Sequence, residues 1–288
     1  MPGRLVKADD VGRELKRLLA ADLADAGAGL ADVGRPREAR IHTARRRLKR
    51  ARSLLRVFGP HLGADHARRR AALRETAAEL SRTRDLDVMA ATAAALADHA
   101  PAKLRTAIAE IATRLANEAA AAHETGTPVA TVIERLRAAE RETEALAAPD
   151  DGIALFETEF GRAYKAARKA MAAARADRTE QRFHAWRKRV KHHFHLARMA
   201  MGAGTSVTGR VVGELDELGD LLGAEHDHAV LAARLLDDPM LAGDGRAADR
   251  ILGLIDSRLA KLQKKALKRG RRLYADRPKT ARAGLSLG

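Results

Sequence analysis

Ile41-His42-Thr43-Ala44-Arg45-Arg46-Arg47-Leu48-Lys49 returns 142 residues later as Phe183-His184-Ala185-Trp186-Arg187-Lys188-Arg189-Val190-Lys191. With no gap, the same shift sets Arg84-Asp85-Leu86-Asp87-Val88 on His226-Asp227-His228-Ala229-Val230. A duplicated chain keeps its apolar pattern because its core requires it. This one has kept basic residues as well: Arg40/Arg182, His42/His184, Arg45/Arg187, Lys49/Lys191 and Arg56/Arg198 are identical pairs. No hydrophobic core selects arginine. The retained charge points to a two-halved protein that holds a polyanion.

Apolar residues recur at three and four positions nearly everywhere, among good helix formers, and no segment alternates as a strand would. The chain therefore reads as all-α. Helices are expected over 10–25, 38–58, 65–81, 85–99, 102–123 and 129–147, then 153–176, 179–201, 210–222, 226–236 and 246–270. Gly59-Pro60, Pro101, Thr125-Gly126-Thr127-Pro128, Pro149-Asp150-Asp151-Gly152 and Gly202-Ala203-Gly204-Thr205-Ser206 supply the breaks. The expectation is one domain of two repeat halves, about 5–148 and 153–276, with a disordered basic tail over 277–288.

On the helix around residues 40–58, Ile41, Ala44, Leu48, Ala51, Leu55 and Phe58 form an apolar stripe. His42, Arg45, Lys49, Arg52 and Arg56 follow the same spacing one residue on, a row of about 21 Å. Arg46 and Arg50 widen it. Like charges four residues apart repel by a few tenths of a kcal/mol, yet no acidic residue stands between His42 and Phe58. A bound anion is the simplest compensation. The second copy has Phe183, Trp186, Val190 and Ala197 on the core side and His184, Arg187, Lys191 and Arg198 in the row, flanked by Lys188, His192 and His195. The single tryptophan, three residues after Phe183, is read as a packing residue. His42 and His184, heading equivalent rows, are read as ligand contacts.

Composition narrows the partners. Fifty-four lysines and arginines against 38 acidic residues leave a formal net charge of +16, which attracts nucleic acid, a membrane surface or another anionic polymer. Aromatic residues amount to 3%, too few for the stacking platforms that single-stranded nucleic acid uses. Without cysteine there is no disulfide, thiolate metal site or thiol catalysis. The start of the chain is polar, no apolar run is long enough to span a bilayer, and a cytoplasmic protein is expected.

Asp85 and Asp227 each lie 43 residues after their histidine, where a helix is expected to begin. A helix N-cap or a tether for a nearby arginine is the expected role, with a catalytic carboxylate as the sharper alternative. Arg84 and His226 beside them are read as structural or secondary. His192-His193-Phe194-His195 and Glu225-His226-Asp227-His228 hold metal-ligand residue types but not the His-Glu-x-x-His zinc spacing, so no metal or other cofactor is expected. Walker loops and nucleophile elbows are missing as well.

In these residues the chain resembles the conserved histidine α-helical domain (CHAD) family. The resemblance rests on His42-x-x-Arg45-x-x-x-Lys49-Arg50-x-Arg52 and His184-x-x-Arg187-Lys188-x-x-Lys191, followed by Arg84-Asp85-Leu86-Asp87-Val88 and Asp227-x-x-Val230-Leu231. It implies two similar helical-bundle halves about a pseudo-two-fold axis, with a basic cleft between them that binds inorganic polyphosphate without catalysis. Association with polyphosphate granules would follow. Departures are His192 and Phe194, where basic residues are expected, and Ala229 opposite Asp87; they imply weaker binding by the second half at neutral pH. Rival readings are a nucleic-acid-binding basic protein and a metal-dependent phosphohydrolase, and oligomeric state stays open. If polyphosphate is the ligand, protonation of His42, His184, His192 and His195 is expected to strengthen binding from pH 8 to 6, with lysines and arginines charged throughout.

Overall fold

The computed structural model describes residues 11–125, 129–201, 207–243 and 245–276, except the side chains of 81–83, 124 and 125. The loops expected at 126–128 and 202–206 and the tail at 277–288 lie outside them. In chain order the helices are α1 (Val11–Ala31), α2 (Arg37–Val57), the short α3 (Gly59–Leu62), α4 (Asp65–Asp98), α5 (Ala102–Thr125) and α6 (Val129–Glu144). Then follow α7 (Gly152–Ala176), α8 (Glu180–Ala200), α9 (Gly209–Asp237), the short α10 (Pro239–Ala242) and α11 (Gly245–Leu273). No strand occurs among the described residues.

The apolar stripes behave as their spacing requires. Ile41, Ala44, Leu48, Ala51 and Leu55 on α2, and Phe183, Trp186, Val190 and Ala197 on α8, are all buried. Each half repeats one packing order: α1 on α2, α2 on α4 and α4 on α5, then α7 on α8, α8 on α9 and α9 on α11. Counterparts also touch one another, α1 with α7, α2 with α8, α4 with α9 and α5 with α11. α6, packed on α1 and α4, adds to the first half.

Two corrections concern the long helices. The segments 65–81 and 85–99 form one helix, α4, and 210–222 with 226–236 form one helix, α9. The polar stretches at Arg84-Asp85 and Glu225-His226 contain no proline, and the single Gly223 is tolerated inside a packed helix. Asp85 and Asp227 thus sit in mid-helix and cap nothing. At the true start of α9 the Thr208 hydroxyl accepts the Val211 N–H.

Polarity in mid-helix has another reason. The apolar core divides into two clusters, and both halves contribute to each. One cluster holds most of α1, α2, α7 and α8; the other joins the ends of α4 and α9 to α5, α10 and α11. Described buried apolar side chains on α4 stop at Leu80 and resume at Met89, and on α9 they stop at Leu222 and resume at Ala229. Where both helices pass from one cluster to the other, their polar stretches face α2 and α8.

Candidate polyanion-binding cleft

Four helices supply the cleft. α2 brings His42, Arg45 and Lys49, α8 brings His184, Arg187 and Lys191, and the polar centres of α4 and α9 bring Arg84, Asp85, His226 and Asp227. The two rows lie close enough to act on one another. Burial lowers the Arg45 pKa, Asp85 opposes that, and Arg84 and Arg187 add to it. Lys49 is pushed down to about 8, by its protein surroundings first and then by Arg187, Arg45, Lys191 and Arg84. Its side chain still meets water.

Two carboxylates answer this charge. Burial raises the Asp85 pKa against the pull of Arg45, and burial raises that of Asp227 against the pull of Arg187. The N-cap reading of these aspartates fails, since both stand in mid-helix. Each counters the arginine of its own half. That leaves Lys49, Arg84 and Lys188 in excess around the cleft.

The histidines divide by environment. His42 is exposed, and burial followed by Arg84, Arg46, Lys49 and Arg45 lowers its pKa. His184 stacks on His226 with ring centroids 4.3 Å apart, and the Nδ1 atoms of both rings are buried without a hydrogen-bond partner. Burial, then Lys188 and Arg187, lowers His184; burial, then His184, Arg187 and Lys188, pushes His226 down to about 4. Both rings are neutral at pH 7.

Several expected ligand residues are engaged elsewhere. Arg50 is buried and forks onto Asp22 of α1 through Nε and Nη2, while Arg47 reaches the same carboxylate at 3.3 Å. It is a core ion pair, not part of the row. His192 is buried with Nε2 2.8 Å from Glu159 Oε1, and its pKa is lowered, mainly by burial. His195 is pushed down to about 3 by burial, His192, Lys191, Lys49 and Arg50. Burial opposes protonation of both rings, most strongly at His195, and Lys49 titrates near that window. The proton balance expected from the sequence is thus corrected on both counts.

Lys191 pairs with Asp216 at 3.7 Å and Asp220 at 3.3 Å, lying across Gly219, where a Cβ would be 2.7 Å from its Nζ. Arg198 feels Arg50, Arg46 and Arg47 and is partly answered by Asp216. Arg52 and Arg56 continue the α2 row towards Arg70 and Arg74 of α4. Sequence reasoning missed those two. Their i,i+4 spacing on the helix after α2 was the available signal. A three-ligand group also went unforeseen: Glu38, Asp87 and His123 bring ligand atoms within 4.8 Å of one another, with His123 Nε2 3.0 Å from Asp87. Among the described residues His192 and His195 belong to no group of three ligand atoms within 4.8 Å. Trp186 is fully buried against Phe183, as a packing residue.

The described residues form an all-helical domain in which cations of α2 and α8 act on one another. The CHAD domain family model matches residues 17–236, and the chain belongs to that family. The crystal structure of the CHAD domain from the plant Ricinus communis is similar in fold, with a TM-score of 0.66, 20% sequence identity and 96% of each chain covered. No curated protein matches. No helix among the described residues is long and apolar enough to cross a membrane.

Proposed function

We propose that the chain binds inorganic polyphosphate, without catalysis, in the cleft between α2, α4, α8 and α9. The observation that carries this reading is the approach of cations from opposite halves: Arg187 and Lys191 of α8 act on Lys49 of α2, and Arg187 acts on Arg45. Repulsion of this kind lowers stability, and a bound polyanion relieves it. Helix counterparts in contact agree with two halves about a pseudo-two-fold axis, so that a thin chain is held from both sides. Arginine forks match phosphate oxygens in pairs, and lysines add point charges. A DNA duplex is too wide and stiff to enter between packed helices. The site residues under this reading are His42, Arg45, Lys49, Arg84, His184, Arg187, Lys188 and Lys191, with Arg46, Arg52, Arg56 and Arg198 at its margins.

A competition titration tests it. Long polyphosphate is expected to displace double-stranded DNA of equal total charge at equal salt, with the steep salt dependence of a counterion-releasing complex. Retention of DNA as strong as that of polyphosphate would overturn the reading in favour of nucleic acid.

A further inference from the structure

Beyond the cleft, Arg52 and Arg56 of α2 and Arg70 and Arg74 of α4 line a cavity of about 300 Å3 together with Ala67 and Ala71. None of the four arginines has an ion-pair partner among the described residues. Their neighbours on α4 show the contrast: Arg68 and Arg69 both pair with Asp65 and Glu142. Burial lowers the pKa of Arg52, and Arg70 and Arg74 lower it further; Arg56 is lowered by burial, then by Arg70 and Arg189. Arg70 and Arg74 are exposed and hold no other element in place.

This cavity continues the cleft. Lys49, Arg52 and Arg56 follow one another on one face of α2 over about 10 Å. Beside Arg56 stand Arg189 and Glu159, the latter with its carboxylate bonded to His192 and acting on both Arg56 and His66.

The second half has no such extension. At the same 142-residue shift, Arg52, Arg56, Arg70 and Arg74 become Phe194, Arg198, Val212 and Asp216. Asp216 and Asp220 stand against Lys191, so carboxylates close that side. The duplication has kept its central rows and diverged here.

We propose that the cationic track leaves the cleft on the α2–α4 side alone and that the four-arginine cavity takes the terminal phosphate of a polyphosphate chain. This rests on the cleft being a polyphosphate site. A terminal phosphate has three non-bridging oxygens and up to two charges, against two oxygens and one charge for an internal phosphate. The end group therefore offers most to a cluster of guanidinium forks. Glu159, whose charge reaches Arg56 from outside the lining, opposes a chain running on past the cavity.

The experiment uses polyphosphate of one defined length in two forms. One has free ends; the other has both terminal phosphates blocked as phosphoramidates of a neutral amine. Each is titrated calorimetrically into the full chain and into an Arg70→Gln/Arg74→Gln variant whose fold is checked by thermal melting. Free-ended chains are expected to bind the unmodified protein roughly tenfold more tightly than blocked ones, about one extra charge-assisted contact. In the variant that preference disappears, while affinity for blocked chains is unchanged. Equal affinity of the unmodified protein for both forms overturns the proposal, as does a variant that keeps the preference. Should the double variant fail to fold, Arg74→Gln alone is measured in the same way, and an undiminished preference there counts against the proposal. If neither form binds the unmodified protein, it is the polyphosphate reading of the cleft that fails.

Discussion

Gly270 of α11 lies against the indole of Trp186 on α8: a Cβ at position 270 would stand 2.6 Å from Trp186 Cζ2 and 2.8 Å from Met171 Sδ. The ring is fully buried and cannot step aside into solvent. Trp186 directly precedes Arg187 on α8. Gly270→Ala is expected to lower stability by about 1–3 kcal/mol through overpacking, although alanine is the better helix former by about 1 kcal/mol. Denaturant unfolding checks this. A stabilised variant would mean that propensity outweighs the contact.

Arginines one residue apart from the binding row should respond in opposite ways. Arg50→Ala leaves the fully buried Asp22 carboxylate to Arg47 alone, at 3.3 Å, and is expected to cost about 1–3 kcal/mol of stability. Replacing Arg45 and Lys49 together with alanine is expected to weaken polyphosphate binding by about 2–4 kcal/mol, from two charge-assisted contacts. That double change should leave stability equal or slightly raised, because it relieves repulsion. A matched Arg187/Lys191 pair tests the second half. Paired melting and binding curves separate the classes, and a binding loss confined to one half would refute a two-sided cleft.

Lys49 gives the complex a pH dependence in the alkaline range. In the free protein its pKa is about 8, and bound phosphate must raise it because the charged ammonium is the form that binds. Affinity is therefore full below about 8 and falls as pH rises towards the bound-state value, by up to about tenfold per pH unit. Lys49→Arg, always charged, should flatten the curve between pH 8 and 9.5. Long chains keep the titration of ligand ends out of the measurement. An unchanged slope in Lys49→Arg would remove Lys49 as its source.

Glu225 makes the fold itself sensitive to pH. It is buried on α9, accepts a hydrogen bond from Gln263 at 2.9 Å, and leaves Oε2 without a partner. Burial pushes its pKa up to about 7, Gln263 opposing that, so the folded protein holds a proton that the unfolded chain gives up from about 4.5. Stability from this group is full below about 4.5, falls as pH rises towards 7, and is level beyond. Glu225→Gln should raise stability at pH 8 by about 1–3 kcal/mol and remove that component of the slope. Urea midpoints at pH 5 and 8 measure it; equal differences from the unmodified protein at both pH values would exclude the carboxyl.

What the sequence by itself determined is periodic. Ile41, Ala44 and Leu48, like Phe183, Trp186 and Val190, repeat at helical spacing, so their burial follows from one helix at a time. The paired basic rows were legible for the same reason, since a duplication displays both copies in register. Three things had to wait for the tertiary structure. Arg50 and Lys49 are neighbours in the chain with the same charge, but only the packing of α1 on α2 gives Asp22 to Arg50 and leaves Lys49 in the cleft. Asp85 and Asp227 looked like helix starts because polar stretches interrupt the apolar pattern; the interruption marks where α4 and α9 cross between two cores. The four-arginine cavity joins residues of two helices through a turn. Periodicity reports which face of a helix avoids water, a local property. Which charge meets which partner depends on distances between helices, and the energy of a charge is set by whatever stands within a few ångströms of it.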